Sequence, residues 1–151
     1  MTSLTEEWDF ECPPNKPIKN IIADYYSNYR DRVWNISCSE TEIDVNFTHC
    51  EWSIYVNEFK HLLIYQCPND GVLTGTKRFS SKIFDRRYQF LCCYPLSYVT
   101  HECRHTKFIN EHSVLLSYRF PDNRVLRGVI SRLVYSDYKP DRLWSLNICK
   151  L

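Results

Sequence analysis

Glycine is almost missing from this sequence: 3 residues in 151, alongside a single methionine. A Gly-rich phosphate loop and a G-x-S-x-G nucleophile elbow are both absent, which removes the common nucleotide-binding and serine-hydrolase signatures. Turns must instead be made by Asn, Asp and Pro. No run of 18 apolar residues occurs, so no membrane insertion is expected. The opening MTSLTEEWDF lacks the basic-then-apolar pattern of a signal peptide. Net charge is +1, too weakly basic to suggest nucleic acid as a partner. There is no low-complexity tract and no interdomain linker.

What is present describes a globular chain. Hydrophobic residues make up 44%, charged residues 25% and aromatics 15%, enough to bury a core in one domain over residues 1–151. The 8 cysteines are an even and high number, which points to an oxidising compartment. A secreted, extracellular protein whose leader has been trimmed reconciles that count with the start of the chain. Asn35-Ile-Ser and Asn46-Phe-Thr are candidate glycosylation sites. Charge is split along the chain. Residues 1–60 hold 5 Lys/Arg against 11 Asp/Glu, and residues 61–151 hold 14 against 7. That split suits a polyanion-binding face or attraction between copies, as well as plain solvated charge.

Self-similarity organises the rest. DRVWNISC from Asp31, DRRYQFLC from Asp85 and DRLWSLNIC from Asp141 recur about 55 residues apart. Upstream, Tyr65-Gln-Cys-Pro-Asn-Asp-Gly-Val-Leu-Thr-Gly75 lies over Tyr118-Arg-Phe-Pro-Asp-Asn-Arg-Val-Leu-Arg-Gly128, and Phe10–Asn20 follows more loosely. Each copy reads as strand, Pro-containing turn, second strand and a third strand opened by Asp-Arg. The expected fold is therefore all-β, with three pseudo-equivalent β repeats at about 8–38, 63–93 and 116–149 in one disulfide-bonded domain. Ser39–Lys60 and Tyr94–His112 read as irregular connections with room for a short helix.

Period-two alternation puts positions +3, +5 and +7 from each Asp on the core face. These are Trp34, Ile36 and Cys38; Tyr88, Phe90 and Cys92; and Trp144, Leu146 and Ile148. The turn position after the first strand holds Cys12, Cys67 and then Phe120. Where it loses its cysteine, +7 loses its cysteine too. Paired loss predicts Cys12–Cys38 and Cys67–Cys92, each closing a loop of about 25 residues worth roughly 3 kcal/mol. A Phe120/Ile148 contact would replace the bridge in the third copy. The other four cysteines allow three pairings, of which Cys93–Cys103 with Cys50–Cys149 is favoured.

The D-R-x-[WY]-x-[FIL] strands, the Cys92-Cys93 doublet and the Cys67-Pro68 turn resemble the dermatopontin family. The likeness runs from about Trp8 to Cys149 and is strongest in GVLTGTKRFSSKIFDRRYQFLCC, Gly71–Cys93. The chain lacks the acidic, tyrosine-rich N-terminal extension of vertebrate members. It is more similar in layout to short invertebrate agglutinins and blood-cell aggregation factors. The resemblance implies a non-enzymatic adhesion protein without cofactors. Its partners would be cell-surface glycans, glycosaminoglycans or proteoglycans, with self-association possible. A matrix-assembly protein binding proteoglycans and collagen-associated proteins is the second implication.

A third reading comes from His101-Glu-Cys-Arg-His105, a literal H-E-x-x-H. On a helix such a stretch holds zinc through two histidines, with the Glu as base. Its surroundings argue against this: Arg104 is charged, Cys103 is due a disulfide, and Phe108 and Glu111 stand at the downstream glycine and third-ligand positions. No metal is expected. Each Asp-Arg-x-aromatic could instead be a sugar subsite, the Asp accepting hydroxyls and the Arg taking sulfate or carboxylate. Alternation makes the aromatic core, so the motif serves the fold first. The candidate glycan contacts are Arg78, Lys82, Asp85, Arg86 and Arg87 in copy two, and Arg124, Arg127, Arg132 and Arg142 in copy three.

Overall fold

A computed structural model describes residues 7–41, 45–80 and 85–151. Among them are eleven strands and no helix, so the all-β expectation holds. Each sequence copy holds one long antiparallel hairpin: β2 (Ile18–Tyr26) with β3 (Asp31–Cys38), β6 (Val72–Ser80) with β7 (Arg86–Pro95), and β10 (Val125–Ser136) with β11 (Lys139–Lys150). The short strands β1 (Trp8–Glu11), β5 (Leu63–Gln66) and β9 (Leu116–Arg119) do not join the hairpin that follows them. β1 pairs with β6, β5 with β10 and β9 with β2. The hairpins are thus interlocked in a cycle, each lending a strand to another.

The two connections expected to be irregular hold strands. β4 (Phe47–Trp52) lies along β7, and β8 (His101–His105) lies along β11. Beyond β4 the chain continues to cover β7, with the Ser53 N–H donating to Phe90 O at 2.8 Å and the Val56 N–H to Tyr88 O at 3.0 Å. Beyond β8 the same happens on β11: the Thr106 N–H reaches Leu146 O and the Ile109 N–H reaches Trp144 O, both at 2.8 Å. The result is three sheets, ordered β1-β6-β7-β4, β5-β10-β11-β8 and β3-β2-β9.

The inward faces meet in one core. Trp34, Tyr88, Phe90, Trp144, Leu146 and Ile148 are buried, and Ile36 and Cys38 are half-buried against them. The Trp144 ring meets Trp34 and Tyr88 edge-on, with centroids 5.6 and 5.2 Å apart, the geometry favoured by aromatic quadrupoles. Phe120 and Ile148 are both in this buried cluster.

Scarce glycine is explained by where the chain spends it. None of the three has positive φ; ten non-glycine residues among those described do, Asn15, Asn69, Asp70 and Asp137 among them. Asn and Asp tolerate that region best. Gly75 and Gly128 sit at bulges where β1 and β5 cross onto their borrowed hairpins. A Cβ on Gly75 would stand 2.7 Å from Phe10 O, and one on Gly128 would run into Tyr65 O.

Four disulfides close the fold. Cys12–Cys38 and Cys67–Cys92 are the pairs named by paired loss. Each joins two sheets, because Cys12 and Cys67 follow the lent strands β1 and β5. The other two correct the expected Cys93–Cys103 and Cys50–Cys149: the bridges are Cys50–Cys93 and Cys103–Cys149. The reason is the pairing of β4 on β7 and of β8 on β11. Register sets Cys50 directly opposite Cys93, with Cα atoms 4.1 Å apart in both pairs.

Candidate functional site

The three Asp-Arg pairs converge. Strand alternation gives the Arg, at +1, the same facing as the aromatic at +3, so each guanidinium turns inward. Arg32 donates from Nε and Nη2 to Asp141 Oδ1 and Oδ2 at 2.9 and 2.7 Å. Arg142 grips Asp85 in the same way, at 3.0 and 3.1 Å. Arg86 approaches Asp31 with Nη2 at 3.4 Å. Each arginine therefore reaches an aspartate on a different hairpin, and the three contacts form a closed ring. All six residues are between 2% and 7% exposed. Bidentate, charge-assisted geometry is what such burial requires.

Backbone groups complete the ring. Arg32 also donates to the carbonyls of Ala23 and Val114, both at 2.9 Å. Arg142 donates to Ser131 O at 3.2 Å and His61 O at 2.9 Å. The Ser113 N–H reaches Asp141 Oδ2 at 3.0 Å, and the Lys60 N–H reaches Asp85 Oδ2. Asn57 and Asn110 pin the strands beside the ring. Each amide accepts from the N–H of an aromatic (Tyr88 at 3.0 Å, Trp144 at 2.9 Å) and donates to the carbonyl of Arg86 or Arg142 at 2.9 Å.

One junction differs. Arg78 stands opposite Tyr88, where Ala23 stands opposite Trp34 and Ser131 opposite Trp144. It holds Asp31 with Nη1 and Nη2 at 2.7 and 3.0 Å. Arg86 is displaced from the bidentate position, and its Nε has no hydrogen-bond partner among the described residues. Tyr88, fully buried here, has its pKa pushed up to about 12 by burial, with the Arg78 and Arg142 charges opposing the rise.

Four of the expected glycan contacts are therefore interior: Arg78, Asp85, Arg86 and Arg142. Their charged groups pair with residues of other hairpins. Lys82 lies outside the described residues. The remaining four are at or near the surface. The Arg87 guanidinium lies over the rings of Tyr55 (4.5 Å) and Phe59 (5.7 Å) and pairs with Glu58 at 3.5 Å. Arg132 is exposed, 5.6 Å from the Phe108 ring. Arg127 is half-buried beside Asp70 at 3.5 Å, and Arg124 donates to the carbonyls of Glu102 and Ile148. Asn35 and Asn46 are exposed.

The H-E-x-x-H stretch forms β8. A strand lacks the one-turn rise that brings histidines four apart to one ion on a helix, its regular spacing putting them about 13 Å apart. Cys103 is bridged, and Glu102 pairs with Lys150 at 2.8 Å, which holds its carboxyl below the usual range. No group of three or more His, Cys, Asp or Glu among the described residues could hold a metal ion.

The dermatopontin family model matches residues 2–151. The chain belongs to the dermatopontin family. It is 29% identical over 146 residues to dermatopontin of Biomphalaria glabrata, covering 96% of this chain and 95% of that one. It is 30% identical over 152 residues to the hemagglutinin/amebocyte aggregation factor of Limulus polyphemus, covering 96% and 86%. Human dermatopontin is 23% identical over 151 residues, covering 95% and 73%. No solved structure matches the chain at a significant level. No helix among the described residues is long and apolar enough to cross a membrane.

Proposed function

We propose that this dermatopontin-family protein is an extracellular, non-enzymatic adhesion protein that binds cell-surface glycans or glycosaminoglycans and clumps cells. The observation that carries the reading is its full-length likeness to the Limulus relative named for hemagglutination and amebocyte aggregation. Four disulfides suit an oxidising, extracellular setting. The reading is supported by four sequence candidates that lie at or near the surface, Arg87, Arg124, Arg127 and Arg132, two of them, Arg87 and Arg132, over aromatic rings. Charge-assisted contacts to sulfate or carboxylate weaken as salt rises.

The test is clumping of red cells in chelator, with competitors. Sulfated polysaccharide should inhibit better than neutral sugar, and retention on a sulfated resin should fade with salt. Clumping requires at least two attachments at once, supplied by two sites or by self-association. A protein that clumps no cells yet is held by immobilised proteoglycan fits the matrix-assembly alternative instead. Absence of both behaviours would remove the reading.

A further inference from the structure

Two hairpin ends carry nearly the same five residues: Tyr26-Ser27-Asn28-Tyr29-Arg30 between β2 and β3, and Tyr135-Ser136-Asp137-Tyr138-Lys139 between β10 and β11. The core gives no reason for this likeness. Tyr26, Tyr29, Tyr135 and Tyr138 are 45%, 53%, 55% and 94% exposed. Tyr138 also has φ 62°, a backbone region that is costly for a bulky side chain and that Asn or Gly would occupy with less strain.

The two ends are held side by side. The hydroxyl of Tyr25 donates to Pro140 O at 2.8 Å. Tyr29 is two residues from Asp31 and Tyr138 three from Asp141, about 7–10 Å of extended chain. Both ends therefore lie close to the ring of Asp-Arg pairs. A small depression lies there, lined by Arg30, Arg86 and Pro140 together with Asp31, Asp85 and Asp141, whose charges are taken up by the ring arginines. Arg86 is 6% exposed and its Nε–H has no partner among the described residues, an unusual state for a buried charged donor.

We propose that this depression and the two hairpin ends form a binding site for an acidic pyranose, a sugar bearing sulfate or carboxylate within a longer glycan. The anionic substituent is met by the Arg30 and Lys139 cations, which stand next to Tyr29 and Tyr138 in the two hairpin ends. The exposed tyrosines offer flat faces to the sugar ring and its neighbours, each an apolar body with a polar tip. This deepens the adhesion reading and rests on it, but puts the main contact at the hairpin ends rather than at Arg87 and Arg132 on the outer face.

The experiment is calorimetric titration of the full chain with a sulfated heparin hexasaccharide and with its desulfated, N-acetylated form. Wild type should prefer the sulfated probe. Tyr29→Ala with Tyr138→Ala should weaken binding about tenfold or more, the size of a central contact, while the melting temperature stays unchanged. Arg30→Gln should reduce the salt dependence. If the tyrosine variant binds within about twofold of wild type while Arg87→Glu with Arg132→Glu abolishes binding, the site lies on the outer face and this proposal is wrong. If wild type clumps cells but binds neither hexasaccharide, the proposal is overturned and the adhesion reading survives. If it neither clumps cells nor binds, both fall.

Discussion

Arg86 and Arg87 are adjacent in the chain and face opposite sides of β7. Arg86, at +1 from Asp85, turns to the ring and is 6% exposed. Arg87, at +2, turns outward over Tyr55 and Phe59. The same side chain thus closes the fold in one position and lies over surface rings in the next. Strand parity, not residue type, separates the two roles. Arg142 and Arg132 repeat the contrast on the third hairpin, one gripping Asp85 and the other exposed beside Phe108.

The contrast is sharpest when a ring member is removed. Arg142→Ala leaves Asp85 buried without its bidentate partner, and an uncompensated buried charge costs roughly 3–5 kcal/mol. We expect a large drop in the denaturant midpoint, with Arg86→Glu also unfolding the protein. A loss below about 1 kcal/mol for Arg142→Ala would place that pair effectively in solvent and refute the ring.

Next come the bridges, which tie the interlocked hairpins. Cys67→Ala with Cys92→Ala should cost about 3 kcal/mol, from a loop of 25 residues. Non-reducing peptide mapping should find Cys50 joined to Cys93 and Cys103 to Cys149. A Cys93–Cys103 peptide would mean that β4 and β8 do not cover β7 and β11 as described.

A smaller effect separates the buried ring from water through pH. The folded pKa of Tyr88 is raised from 10.0 to about 12, chiefly by burial. A raised pKa gives stability that is fully present below pH 10 and is lost as pH climbs through 12, at most about 2–3 kcal/mol. Unfolding should therefore steepen between pH 10 and 12, and Tyr88→Phe should flatten that stretch of the profile. An identical profile in the variant would show that other groups govern alkaline unfolding.

Much of the interior was legible because it depends on local periodicity. Alternation named Trp34, Tyr88 and Trp144 as core, and paired loss named Cys12–Cys38 and Cys67–Cys92. Its rule also put Arg86 and Arg142 on the core face, but their charge suggested the surface. The physical signal was there: +1 shares parity with +3. The lending of β1, β5 and β9 to other hairpins was not legible, because strand pairing is non-local and short apolar strands do not record their partner. The same blindness mispaired Cys50, Cys93, Cys103 and Cys149, since their neighbours are set by β4 and β8 in segments that read as irregular. Arg78 carried no sequence sign of its role, because its counterparts are Ala23 and Ser131.

The smallest stability effect should come from the outward member of the first pair. Arg87→Glu loses an ion pair to Glu58, whose side chain is 73% exposed, and a cation over two rings. Exposed pairs contribute about 0–1 kcal/mol, and cation–aromatic contacts at open sites about 0.5–1 kcal/mol. The melting temperature should therefore fall by only a few degrees, a shift well short of the collapse expected for Arg86→Glu. Retention on a sulfated resin is the sensitive measurement. If Arg87 contacts the ligand, the variant should elute at lower salt, because one charge-assisted contact is replaced by repulsion. A variant that keeps its wild-type elution while Arg124→Glu or Arg127→Glu shifts would move the binding face to the other end of the hairpins. Unfolding by Arg87→Glu as severe as that by Arg86→Glu would instead break the parity rule on which the whole contrast stands.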